Sequence, residues 1–139
     1  MLSLFDSGPY LPCPSPFNLA GHVLARAEAL DDKTAVAVVG ADSRDDMSYA
    51  QLNAAVLGTA SGLQTAGFQP GDVVLMRLGN TLDFPIAYLG AMAAGLVPVP
   101  TSPALTTPEV ARIIAELQPR IVLHDPDVAS AFEAPHMGL

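Results

Sequence analysis

A single cysteine, Cys13, stands among 139 residues. An intramolecular disulfide is therefore excluded, and a reducing, cytoplasmic setting is expected. Basic residues are nearly as scarce: six Lys and Arg face fourteen Asp and Glu, for a net charge of −8. Those six (Arg26, Lys33, Arg44, Arg77, Arg112 and Arg120) are scattered. Nucleic acid and anionic membranes require clustered cations, so neither is an expected partner. No basic region precedes an apolar run at the N-terminus, so no secretory signal is read there. Charge of either sign is missing from Phe84 to Pro108. Gly95, Pro98, Pro100 and Pro103 cut that run too short for a membrane span. A buried crossover helix feeding a buried parallel strand explains the same residues better.

Several chemical signatures are also absent. The sequence holds neither Gly-x-x-x-x-Gly-Lys-Ser/Thr nor Gly-x-Gly-x-x-Gly. No group of His, Cys and carboxylates has metal-ligand spacing. Asp42, Asp45 and Asp46 lack the regular calcium-loop spacing and its distal Glu, so they read as a solvated hairpin turn over 41–46. Gly-Thr-Ala-Ser-Gly at 58–62 lies mid-helix with the wrong spacing for a nucleophile elbow.

What is present is half hydrophobic and only 14% charged, enough apolar material to build one core. The pattern is α/β: a three-layer, mostly parallel sheet flanked by helices. Pro9, Pro12, Pro14 and Pro16 make residues 1–16 an extended arm, in which Cys13 is a bystander. The α/β unit spans 17–132 and a tail 133–139. Asn18 caps a first helix from Leu19 to about Leu30, with Leu19, Val23, Ala27 and Leu30 inward and His22 as a surface or packing residue. Thr34–Gly40 reads as a strand. Ser48 begins the longest helix, which Gly67 stops, and Leu52, Val56, Ala60 and Leu63 form its buried stripe. Gly58 and Gly62 within it suggest close approach of another backbone.

Asp72–Leu78, Leu96–Val99 and Arg120–His124 are short apolar strands. A helix from about Leu82 to Ala94 links the first two, with Asn80, Thr81 and Asp83 as capping types and Pro85 confined to its first turn. A second, capped at Thr106 or Thr107, turns Val110, Ile113, Ile114 and Leu117 inward and ends at Pro119. Asp127–Phe132 suggests a last partial helix. Strands joined through helices run parallel, and open parallel sheets bind ligands beyond their carboxyl ends. Three loops share that rim: Gly79-Asn80-Thr81, Pro100-Thr101-Ser102 and His124-Asp125. Asn80, Thr81, Thr101 and Ser102 are the weak candidate binding residues. A helix cap alone explains Asn80, Thr81 and Thr106 equally well. His124 beside Asp125 suggests a base with its orienter, although neighbours at a strand end normally point apart.

Four blocks in this order resemble the N-terminal region of the AMP-forming acyl-CoA synthetases, within the adenylate-forming superfamily. They are Ser48-Tyr49-Ala50-Gln51-Leu52-Asn53, Leu63 to Asp72, Leu78 to Phe84, and Gly90 to Pro100. The likeness continues through Thr106–Val110 and Arg120–Asp125, and spans about Phe17 to Val128. It implies ATP-dependent activation of a carboxylic acid substrate through an acyl-adenylate, with Mg, and transfer of the acyl group to coenzyme A. The family's Ser/Thr/Gly-rich phosphate loop ending in Pro-Lys, its Tyr-Gly-x-Thr-Glu motif, its ribose-binding Asp and its C-terminal Lys have no counterpart here. The resemblance is therefore to the first N-terminal subdomain, expected to hold no catalytic residue and no bound ATP, Mg or coenzyme A, and to self-associate through uncovered surface. The alternatives are a stand-alone, non-enzymatic nucleotide- or CoA-binding module and a ligand-free structural remnant.

Overall fold

The apolar runs form the strands, and their two-residue alternation divides the molecule into layers. The computed structural model describes residues 8–126, 128 and 136–138. Strands β3 (Val73–Arg77), β4 (Val97–Pro100), β5 (Ile121–His124) and β6 (His136–Gly138) form one sheet in the order β4-β3-β5-β6. Every pairing is parallel, with Val73 opposite Val97 and Val74 opposite Ile121. Helices α2 (Tyr49–Thr65) and α3 (Asp83–Ala93) cover one face, and α4 (Thr107–Leu117) covers the other. Val74, Met76, Ile121 and Leu123 turn toward α2 and α3, whereas Leu75 and Val122 turn toward Val110 of α4. Burial on both faces explains why β3 reads as an unbroken apolar run.

Four of the expected features are found here, shifted at most a residue or two at their ends. Ser48 closes a capping box: its backbone N–H donates to Gln51 Oε1 at 2.8 Å, and its Oγ accepts from Gln51 N at 3.3 Å. Gly67 follows the end of α2. Pro85 lies in the first turn of α3. Gly95, at φ +80°, turns the chain into β4 in a conformation that side chains rarely adopt.

Other expectations need correction. The first helix is short, α1 covering only Leu19–Val23, with a separate 3₁₀ turn at Glu28–Leu30. Its inward face is Ala20, Leu24 and Ala27, while Leu19 and Val23 are exposed. Asn18 explains the offset. Its Oδ1 accepts from Gly21 N at 3.1 Å, and its Nδ2 donates to the carbonyl of Met92 at 2.9 Å, fixing how α1 meets the end of α3.

The acidic stretch is only partly a turn. Arg44–Ser48 form β2, paired antiparallel with β1 (Thr34–Val39), so Asp45 and Asp46 lie on a strand. A two-stranded ribbon keeps one face in water, which accommodates charge.

No described residue packed against α2 comes within 4 Å of a side chain placed at Gly58 or Gly62. The close approach occurs instead at Gly90 of α3, where a Cβ would sit 2.6 Å from Thr59 Cγ2 and 3.4 Å from the Val56 carbonyl. Residues 136–138, read from the sequence as tail, carry β6 against β5. The partial helix expected over Asp127–Phe132 lies outside the described residues.

Candidate functional site

The carboxyl ends of β3, β4 and β5 meet as the parallel topology requires, and two charged side chains lace them together. Arg77, the lone charge in β3, is 3% exposed. Its Nη2 donates to the carbonyls of Pro103 and Leu105, each at 2.9 Å, which holds the loop after β4. Burial lowers the Arg77 guanidinium from its ordinary value, yet an Arg stays protonated there. Asp125, past the end of β5, accepts a 2.6 Å hydrogen bond from Gly79 N and so holds the loop after β3. His124 is buried, with Nδ1 2.8 Å from the carbonyl oxygen of Asp125. The imidazole therefore engages the Asp125 backbone, while the carboxylate is engaged with Gly79.

The four candidate residues separate into two pairs. Thr101 N and Oγ1 both donate to the Met76 carbonyl, at 2.8 and 3.0 Å, so this side chain extends the β3–β4 pairing. Ser102 Oγ accepts from Ala104 N at 3.2 Å and shapes its own turn. Asn80 and Thr81 line a cleft of about 470 Å³ between the β3–α3 loop and the hairpin, opposite Val38, Asp45 and Asp46. Neither caps α3, whose N-cap position is Leu82 with no side-chain cap. Thr106 does serve a helix: Glu109 Oε2 accepts from Thr106 N at 2.8 Å and from Thr106 Oγ1 at 2.7 Å. The hydroxyl and then the backbone N–H hold the Glu109 carboxyl below its ordinary value.

Electrostatics at this rim oppose an anion. A helix N-terminus favours negative charge. Here Asp83 occupies the first turn of α3, and Asp45 and Asp46 line the same cleft. Arg44 pairs with Asp46 at 3.0 Å in an exposed ion pair. No group of three or more His, Cys, Asp or Glu among the described residues can hold a metal ion.

A second concavity runs along β5 on the α2–α3 face. This trough of about 430 Å³ is lined by Leu63, Phe68, Ile86, Ala87, Ile121 and Leu123, with Gly62 in its wall and Asp83 at its rim. The sequence offered signals for part of this geometry: Arg77 is the one charge in an apolar strand, and a buried charge needs partners. Nothing local placed the hairpin carboxylates opposite Asn80, because that contact depends on how the ribbon docks.

Comparison with known proteins places this geometry. The family model for AMP-binding enzymes matches residues 24–137. A 4-coumarate–CoA ligase-like protein of Oryza sativa is 34% identical over 102 residues, which are 73% of this chain and 17% of that protein. A long-chain-fatty-acid–CoA ligase of Mycobacterium tuberculosis is 32% identical over 88 residues, 63% of this chain and 18% of the relative. Among solved structures, a fatty acyl-adenylate ligase from L. pneumophila, in complex with acyl adenylate and pyrophosphate, superposes with a TM-score of 0.78 at 27% identity. It covers 87% of this chain and 23% of its own. A benzoate CoA ligase from Burkholderia xenovorans gives a TM-score of 0.72 at 28% identity, covering 81% of this chain and 22% of its own. The chain spans about a fifth of the length of the curated relatives it matches. With the family model matching most of its residues, the chain belongs to the AMP-binding enzyme family.

Proposed function

We propose that this chain is the N-terminal part of an ATP-dependent, AMP-forming acyl-CoA ligase, and that it scaffolds the active site rather than performing the chemistry. One observation carries the reading. The rim of the sheet is bound to itself, Arg77 to the β4 loop and Asp125 to the β3 loop, with carboxylates rather than cations around the open cleft. Such a rim can hold loops in place, but it supplies neither a phosphate cradle nor a magnesium site. In the longer polypeptide, ATP with magnesium supplies the leaving pyrophosphate, and coenzyme A accepts the acyl group. The residues that bind them lie beyond the described ones. The substrate is a carboxylic acid, and the setting is cytoplasmic.

The test is pyrophosphate release by purified 139-residue chain with ATP, magnesium, coenzyme A and a panel of carboxylic acids. No release above blank is expected, and any saturable release overturns the scaffold reading. The native reading frame past Leu139 is expected to continue into a Ser/Thr/Gly-rich loop ending in Pro-Lys; a stop codon there would sink the ligase assignment for this molecule. A stand-alone nucleotide- or CoA-binding module is disfavoured by the same carboxylates, and titration of ATP and coenzyme A should give no saturable signal.

A further inference from the structure

Three loops meet at the carboxyl ends of β3, β4 and β5, and two residues on neighbouring strands tie them together. Arg77 and His124 are partners in the parallel pairing of β3 with β5, so Arg77 lies beside the residue that precedes Asp125. Arg77 engages through backbone and side chain alike. Its carbonyl accepts from Asp125 N at 3.3 Å, and its Nη2 donates to the Pro103 and Leu105 carbonyls. Asp125 does the same: its backbone engages Arg77 and His124, while its carboxylate accepts from Gly79 N. Thr101 adds its two bonds to the Met76 carbonyl, one residue before Arg77. Leu105 packs against the core formed by Leu75 and Val122, so the β4–α4 loop lies over both strands.

Lifting the β4–α4 loop would take two acceptors from a guanidinium that is 3% exposed. Losing those partners in place is costly, because a buried charge depends on its hydrogen bonds. The side chain must follow the loop outward, and its own backbone is the acceptor for Asp125 N. The end of β5 is then loosened, and with it the carboxylate that holds Gly79. The path also runs in reverse, since freeing Gly79 from Asp125 unpins the end of β5 from Arg77. Pro100 and Pro103 remove two N–H donors from the β4–α4 loop, so the bonds reaching it from β3 carry more of its order.

We infer that the loops after β3 and β4 form one cooperative unit, clasped through Arg77 and Asp125, so that a molecule ordering either loop orders both. By linkage the effect is reciprocal. The inference needs only this rim and stands apart from the ligase reading. Amide hydrogen exchange in the 139-residue chain tests it, read at each loop after cutting the bond that holds the other. Arg77→Met removes the bonds to Pro103 and Leu105 and keeps an apolar side chain in the same seat. It should speed exchange at Gly79 and Thr81 by about tenfold. Asp125→Ala removes the bond to Gly79 and should speed exchange at Thr101 and Leu105 to a similar extent. Amides of Val74 and Leu75 in β3 should keep their original rates, which separates opening of the rim from loss of the fold. With both substitutions, exchange should be no faster than with the faster single one, because a unit already open gains nothing more. Where Arg77→Met does not fold, Thr101→Val takes its place: it loosens the same loop without disturbing a buried charge, and should likewise speed exchange at Gly79 and Thr81. Acceleration confined to the loop whose bond was cut, equal acceleration in β3, or accelerations that multiply in the double variant would each overturn the clasp.

Discussion

At the scale of single residues, Gly90 and Glu109 make the sharpest claims. A Cβ at Gly90 would lie 2.7 Å from Thr59 Cβ, inside a helix pair that cannot part freely. Gly90→Ala should therefore destabilise the chain by about 1–3 kcal/mol, despite alanine's better helix propensity. Thr59→Ala should recover most of that loss. A double-mutant cycle by urea denaturation checks it, and additive effects would refute the contact. Glu109 sets a pH dependence. Its folded carboxyl is held below the unfolded value by Thr106, so its contribution is complete above that value and is lost as pH falls through the folded one. Amides in the first turn of α4 should lose protection as pH falls below the ordinary Glu range, and Glu109→Gln should flatten that dependence. The capping box at Ser48 was legible because Ser-x-x-Gln before an apolar run is a local signal. The burial of Gly90 against Thr59 was not, because small residues at helical spacing occur on α2 and α3 alike and only the docked pair shows which are used.

At the scale of elements, local chemistry decided most boundaries. Pro85 and Pro108 each lie in a first turn, and Gly67 and Gly95 follow helix ends, so the helices and the three parallel strands were readable in order. The failures lie where tertiary contact overrides pattern. The α1 face is rotated because Asn18 bonds to α3. Likewise β2 was concealed by its charges, since Arg44, Asp45 and Asp46 are poor strand formers and hold their conformation through pairing with Val39, Val38 and Ala37. Of the candidate site, the shared rim was legible from the parallel topology. The separation of Thr101 and Ser102 from Asn80 and Thr81 was not, because it rests on the bonds Thr101 makes to Met76. On α2, Gly58 faces open space. Gly58→Ala should raise the stability of the 139-residue chain by up to about 1 kcal/mol, seen as a higher denaturation midpoint.

At the scale of the whole molecule, surface area is informative. A folded monomer of 14.4 kDa exposes roughly 6,800 Å². This one exposes 9303 Å². Tyr10 and Leu11, in the arm that precedes α1, are almost fully exposed. The 139-residue chain is expected to bind an apolar dye and to self-associate as concentration rises. Sedimentation at several concentrations tests this, and a dye-silent monomer throughout would refute it.

The bond from Asn18 to Met92 has a consequence in time as well as in space. It joins positions 74 residues apart. During synthesis the N-terminal helix can form its first turn early, but it cannot take its final place until Met92 has emerged from the ribosome and α3 has folded. The beginning of the chain is thus completed late. Stalled nascent chains ending short of Met92 plus the exit tunnel should leave residues 18–24 open to protease, and those ending well beyond it should not.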